Sequence, residues 1–491
     1  MPYVVTQSCC ADASCVVACP VNCIHPAPGE PGFGTAEMLF VDPKTCVDCG
    51  ACTTACPVDA LVPHTRLTEA QLPFMQLNAD YYKDNPHSDR TPLALIPPKR
   101  LLRRTKAARI AIVGAGPSGM YLADELLKHG QLDVDVYDRL TTPYGLARYG
   151  VAPDHRATRG VTKVFQAIER VEGFDYQLGV RIGEDVTHEE LAAHYHAVVY
   201  CTGASTGRKL DIPGEGLPGS ITGPQFVAWY NGHPDVIEPP AGLLSGLASG
   251  RAVVIGNGNV ALDIARLLTT DPEHLADTDI SLSALEALRN SAIDEVVLLG
   301  RRGAVNAAFT LPELIGLAGV EDITVVVDGE CGDDTPKTKL LAEMAARPPR
   351  GKRRIVFRFE TTSAQIHGED KVTGLEVTRG GVNETLDAGL VISSIGYRGS
   401  AVPGLPFDEV TGRMTNEDGR VAPGIYTAGW IKRGPSGFIG TNKGCAEQTA
   451  KLLLDDLDGG LLPEPKGSHK DIRKLIARRN GNVLDLAALR A

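Results

Sequence analysis

No stretch of the sequence approaches the ~18 consecutive apolar residues of a membrane-spanning helix. Met1–Thr6 has neither the charged nor the apolar region of an export signal. Neither a membrane protein nor a secreted one is expected, and the expected setting is cytoplasmic. Basic charge is also scarce. The 49 Lys and Arg against 60 Asp and Glu leave a formal net charge of -11, which argues against a nucleic-acid or anionic-membrane partner. There is no biased tract and no repeat of fixed short period. Beyond residue 60 cysteine is nearly absent: Cys201, Cys331 and Cys445 stand alone, so no redox C-x-x-C pair is available to a disulfide-exchanging flavoprotein.

The other nine of the 12 cysteines lie between Cys9 and Cys56. Where thiols stay reduced, such a cluster reads as metal ligation and not as disulfides. Cys46-Val-Asp-Cys49-Gly-Ala-Cys52-Thr-Thr-Ala-Cys56-Pro57 is a C-x-x-C-x-x-C-x-x-x-C-P run, whose first three thiolates suit three corners of an iron–sulfur cube. The fourth cysteine of such runs serves a second cluster, and Cys15-Val-Val-Ala-Cys19-Pro20 supplies the reciprocal partner. Cys19, Cys46, Cys49 and Cys52 are therefore expected to hold a [4Fe–4S] cluster. Cys56 is expected to join Cys15 and either Cys9 or Cys10, with Cys9 preferred, at a second cluster. Three ligands favour [3Fe–4S] there, with [4Fe–4S] also possible. Zinc is the competing reading, but His25 is the one histidine in this region and two C-P termini fit iron–sulfur better.

Length allows about three domains at roughly 150 residues each. Residues 1–60 form the cysteine-rich head, with six acids against the single base Lys44. Residues 61–106 carry six prolines and the basic run Lys99–Lys106, and read as an extended linker. The run could dock the acidic head near the flavin edge, or be a solvated linker face. From Arg109 onward short β-branched runs alternate with helical patterns, which predicts parallel sheets with helices on both faces. The expected strands are Arg109–Val113, Val134–Tyr137, His196–Tyr200, Ala252–Ile255, Glu295–Leu299, Gly389–Ser393 and Gly424–Thr427.

Two turns carry nucleotide chemistry. Gly114-Ala-Gly116-Pro117-Ser118-Gly119 is a G-x-G-x-x-G between strand and helix, with Asp138 closing the next strand for a ribose hydroxyl. Gly256-Asn257-Gly258-Asn259-Val260-Ala261 is a second such turn. Its later strand ends at Gly300-Arg301-Arg302, where paired guanidinia suit a 2′-phosphate and favour NADPH over NADH.

With Pro143–His155, Gly300–Gly303 and Gly429–Gly437 added, residues 107–491 resemble the adrenodoxin-reductase-type ferredoxin–NADP reductases. The head resembles the seven-iron bacterial ferredoxins, though with shorter spacing before Cys15. The whole resembles the bacterial fusion of the two. The resemblance implies an α/β flavoprotein with two dinucleotide-binding domains and an N-terminal α+β ferredoxin-like domain. Its FAD-binding domain would span 107–210 and 395–491, and its NADPH-binding domain 211–394. It implies FAD contacts at Gly116–Gly119, Asp138, Leu146, Ile182, Trp430 and Gly437-Phe438-Ile439. NADP contacts are implied at Asn257, Gly258, Asn259, Val260, Arg301, Arg302 and Glu313.

His155 would sit near the flavin, positioning nicotinamide or partner, or alternatively cap a turn structurally. Some relatives carry a second acid one turn after Glu313, where this chain has Gly316. Cys23 matches a cysteine placed beside a cluster without ligating it. The implied activity is hydride transfer from NADPH to FAD, then single electrons to the clusters and on to a ferredoxin or cytochrome P450-type acceptor. The alternative is an iron–sulfur/FAD electron-supplying subunit of a larger NADPH-dependent synthase.

Overall fold

The computed structural model describes residues 2–93, 102, 107–332 and 334–490. The basic run at 99–106 lies almost wholly outside these residues.

The strands of the body are short, β-branched and buried on both sides, as parallel strands between two layers must be. One sheet orders Arg420–Ala422, Ile425–Thr427, Ala197–Tyr200, Ala108–Val113, Leu132–Asp138 and Phe174–Leu178, parallel except for its first pair. A second, fully parallel sheet orders Ser220–Thr222, Leu390–Ser393, Arg251–Ile255, Glu295–Leu299, Arg354–Arg358 and Thr324–Asp328. The two chain crossings between them, Thr206–Gly207 and Tyr397–Arg398, pair antiparallel. That pairing lies beside the expected domain boundaries at 210 and 395.

Alternation along each strand explains the layers. In the second sheet Ala252, Val254, Val296 and Leu298 join the helical core, whereas Val253, Ile255, Val297 and Leu299 face Ile366, Leu375 and Val377. Those three residues belong to a small antiparallel sheet, Thr361–His367, Gly374–Arg379 and Val382–Asp387. The expectation of helices on both faces is thus corrected for this sheet: one face is covered by strands.

The head is built twice. Its five-residue helices Ser14–Ala18 and Ala51–Ala55 each follow a residue in the left-handed region, Ala13 (φ 61) and Gly50 (φ 76), and each end on a cysteine, Cys19 and Cys56. Positive φ recurs at the same interval, at Ala11 and Asp48 and at Asn22 and Asp59. Cys23 N–H donates to Cys19 Sγ, and Ala60 N–H to Cys56 Sγ. From Cys9 to Cys23 each position therefore repeats 37 residues later (Cys9 at Cys46, Cys15 at Cys52, Cys19 at Cys56). The repeat is absent from the expectations above, although the paired C-x-x-x-C-P strings carried its signal.

The first part of the stretch expected as an extended linker, 61–84, contributes to the head instead. Leu61–Pro63 pairs with Tyr3–Val5, and Pro73–Asp84 is a helix. Pro73 sits at its first turn, where the missing N–H leaves no bond unmade. Buried Asn78 on this helix accepts from Val5 and Val41 N–H and donates to Val5 O, stitching the helix to the strands Tyr3–Val5 and Phe40–Val41.

Candidate functional site

Gly114 (φ +113) packs so closely that a Cβ would overlap Cys201 O, and a Cβ on Gly119 would overlap Gly114 O. At Gly116 nothing lies within 4 Å of that direction. The turn is thus tight behind and open in front, where the N-terminus of the helix Pro117–Leu127 presents unpaired N–H groups suited to a pyrophosphate. Asp138 accepts from Ala115 N–H at 2.8 Å and Leu140 N–H at 2.9 Å; burial raises its pKa, and these two bonds oppose the rise.

A cavity of about 350 Å³ opens beside this turn, lined by Gly114, Gly116, Pro117, Ser118, Asp138, Leu146, His155, Trp430, Gly437, Phe438 and Ile439. Ile182 does not line it; it bridges to Val186 and packs with the core beneath. Gly119 acts through packing alone. A second cavity of about 1280 Å³ is lined by Gly256, Asn257, Gly258, Asn259, Val260, Arg301 and Arg302. Val260, Thr310, Tyr397, Trp430, Gly437 and Phe438 border both cavities, so the two nucleotide sites meet there. Arg301 and Arg302 are exposed at the second cavity, and neither guanidinium makes an ion pair among the described residues.

His155 lines the first cavity, its Nε2 3.8 Å from both Asp263 and Glu313. It precedes the short helix Arg156–Arg159 and makes no side-chain capping bond to it. Burial raises the Glu313 pKa, with the His155 charge opposing the rise. Next to it Asp154 grips Arg266 with two bonds, at 2.7 and 2.9 Å, and Arg266 also reaches Asp263 at 2.8 Å. This pair ties the two nucleotide domains together, with the Arg266 side chain 5% exposed. Removing one partner of a buried pair costs about 3–5 kcal/mol, so Asp154→Ala is expected to lower the unfolding free energy by up to that much, Asp263 still standing beside Arg266. Burial raises the Asp154 pKa, but Arg266 outweighs it and the net shift is downward. Asp154 therefore contributes stability above its unfolded pKa of about 3.9. That contribution is lost as pH falls through the lower folded value.

The head closes the first cavity. Gln7, Cys9, Cys10 and Glu37 line it, none of them foreseen in that role. Gln7 Nε2 donates to Glu313 at 2.8 Å, in the space that Gly316 leaves open. Leu311 N–H donates to Glu37 at 2.8 Å, and Gly440 N–H to Cys10 O at 2.8 Å. The head and the first nucleotide domain share one hydrophobic core. No sequence spacing announces these contacts, which join residues hundreds of positions apart.

All twelve cysteines are free thiols. Cys19, Cys46, Cys49 and Cys52 surround a small recess with Cys23 beside them, and the Cys23 thiol lowers Cys19 and Cys46 to about 6, toward the thiolate that metal binding needs. Cys9, Cys15 and Cys56 lie within electrostatic reach of Asp12, Cys9 in the cavity wall, and their thiols are raised chiefly by burial. Soft thiolates gathered in two groups in this way suit iron–sulfur groups.

Residues 8–60 match a family described as 4Fe-4S dicluster domain, and residues 108–437 one described as pyridine nucleotide-disulphide oxidoreductase. The chain is 47% identical to a Mycobacterium tuberculosis protein named probable ferredoxin/ferredoxin--NADP reductase, over 100% of this chain and 90% of that protein. The chain belongs to the fused ferredoxin/ferredoxin–NADP reductase family. Human mitochondrial NADPH:adrenodoxin oxidoreductase is 40% identical, over 76% of this chain and 84% of its own. The structure of Mycobacterium tuberculosis FprA in complex with NADPH superposes with a TM-score of 0.73 at 40% identity, covering 78% of this chain and 92% of that one. In this family member no helix among the described residues is long and apolar enough to cross a membrane.

Proposed function

We propose that the chain is an NADPH-dependent ferredoxin reductase carrying its own two-cluster ferredoxin, which delivers single electrons to a ferredoxin- or cytochrome P450-type acceptor. The observation that carries this reading is the head seated over the cavity where the two dinucleotide sites meet. A disulfide-exchange role lacks a paired cysteine, and the synthase-subunit alternative is disfavoured by relatives that match this chain end to end.

In this reading Gly114, Gly116, Pro117, Ser118 and Asp138 hold FAD, with Leu146, Trp430 and Gly437-Phe438-Ile439 around it. Asn257, Gly258, Asn259, Val260, Arg301 and Arg302 hold NADP(H). FAD supplies the conversion of a hydride pair into single electrons. Trp430, Tyr397 and Val260 orient the nicotinamide end, while Gln7, Glu37 and Cys10 exclude water from it. Burial lets Glu313 hold a proton more readily than an ordinary carboxylate, while the His155 charge and the bond from Gln7 oppose that rise. His155 is a positioning residue between Glu313 and Asp263.

Cys9, Cys15 and Cys56 hold the flavin-side cluster, and Cys19, Cys46, Cys49 and Cys52 the outer one. Cys49 and Val47 are exposed, Val47 by 58%, so an acceptor meets the outer site first. A Cβ on Gly440 would overlap the backbone of Cys10, Ala11 and Asp12. Gly440→Ala is therefore expected to push the head off the cavity and slow cluster reduction by at least about tenfold. Stopped-flow absorption after NADPH addition reads that rate beside the bleaching of the flavin.

Anaerobic NADPH titration followed by visible absorption and EPR tests the whole reading. Sequential bleaching of flavin and iron–sulfur absorption is expected. A colourless or zinc-containing protein, or a flavin that NADPH leaves oxidised, overturns it.

A further inference from the structure

The internal repeat of the head makes a prediction about one residue that cysteine spacing passes over. Adding 37 carries Cys9 to Cys46, Cys15 to Cys52 and Cys19 to Cys56, and it carries Asp12 to Cys49. The backbone obeys the same interval on either side of Asp12. Ala11 and Ala13 have φ 56 and 61, where Asp48 and Gly50 have φ 59 and 76. Asp12 thus occupies the position from which the other half presents a ligand, and the first half reads Cys9-x-x-Asp12-x-x-Cys15-x-x-x-Cys19-Pro20.

The side chain is placed for the part. Asp12 is 10% exposed, and electrostatically it faces the thiols of Cys9, Cys10, Cys15 and Cys56. Its carboxylate accepts from Ser14 Oγ and N–H, and Lys443 Nζ stands 3.9 Å from Oδ2. A nearly buried carboxylate within electrostatic reach of four thiols, at the position where the other half carries Cys49, needs a reason beyond capping a five-residue helix.

The geometry points to Asp12 as the fourth-corner ligand of the flavin-side cluster, giving that site a carboxylate-capped iron that can leave and return. This rests on the two-cluster reading above. Carboxylate oxygen is a hard donor, and among soft thiolates it holds iron more loosely than Cys49 does in the outer cluster. The exchange balances as [3Fe–4S]⁺ plus one electron plus Fe²⁺ giving [4Fe–4S]²⁺. One Asp12 Oδ–Fe bond forms as the incoming ion loses a water, and NADPH supplies the electron through the chain's own flavin. Oxidation reverses each change. The form of the cluster next to the flavin then follows the iron and oxidant around it, whereas the outer cluster is fixed.

The test uses the full chain, reconstituted and then oxidised with ferricyanide. Anaerobic NADPH with ferrous ammonium sulfate is expected to remove the three-iron EPR signal of the wild type and to add one iron per chain. Asp12→Asn keeps an oxygen to cap Ser14 N–H but is a poor ligand; its uptake is expected to fall by at least about tenfold. Asp12→Cys is expected to hold a four-iron cluster that ferricyanide no longer opens. Uptake by Asp12→Asn equal to wild type, or none by wild type, overturns the assignment. The outer-cluster signal separates the two levels. If it is present without any second cluster, the two-cluster reading fails and Asp12 with it; if both clusters are present and the fourth iron is indifferent to Asp12, only this inference fails.

Discussion

Replacing Cys9 with alanine is expected to cut electron delivery to a one-electron protein acceptor by about 100-fold or more, while replacing its neighbour Cys10 leaves the second cluster in place. Two adjacent side chains on an extended segment point apart, so one cluster takes one of them. The repeat decides which: Cys9 falls on the ligand Cys46, and Cys10 on Val47, which ligates nothing. Changing a group that hydrogen-bonds a metal ligand already costs about 10–100-fold, and removing one of three thiolates from the cluster nearest the flavin costs at least that. The measurement is acceptor reduction under NADPH, with EPR counting the clusters in each variant. Flavin bleaching by NADPH is the internal control, because the glycine turns that hold the nucleotides lie on other elements. Loss of the cluster in Cys10→Ala with retention in Cys9→Ala would reverse the assignment.

Local chemistry was legible in the sequence, and long-range assembly was not. The turns at Gly114 and Gly256 announce themselves because tight backbone approach admits glycine alone and leaves a fixed spacing. The seven expected strands all appear, each within a residue or two, because a strand buried on both faces is a plain β-branched run. Phe174–Leu178 was missed because Asp175 and Gln177 interrupt that pattern. Arg354–Arg358 was missed because arginine closes both its ends.

The helix Pro73–Asp84 was hidden by its own first residue, since proline density reads as extended chain unless its position in the first turn is recognised. The repeat in the head is masked by a single substitution, Asp12 where the motif has cysteine, and by the adjacent Cys10, whose counterpart is Val47. Gln7 and Glu37 in the cavity wall have no local signature at all. They reach the site because Glu313 and the Leu311 N–H offer them partners across the seam between head and body.

Arg301→Ala with Arg302→Ala is expected to raise the KM for NADPH by about 100-fold or more, leave kcat little changed and leave the KM for NADH nearly where it was. The two guanidinia stand exposed at the mouth of the second cavity, close to the Gly256–Val260 turn, and among the described residues no acid competes for them. A hydrogen bond to a charged group contributes about 1.5–3 kcal/mol, and each 1.4 kcal/mol is tenfold in binding. Two such contacts to a 2′-phosphate therefore supply two orders of magnitude or more. They act equally on ground and transition state, because the phosphate lies at the adenosine end and takes no part in hydride transfer, so KM moves and kcat does not. Each single variant should show about half the effect in free energy. High salt should shrink it further, since an exposed ionic contact is screened at separations beyond about 8–10 Å. An equal loss with both nucleotides would place these arginines in the fold of the cavity rim, and the preference for NADPH would then have to come from elsewhere in the turn.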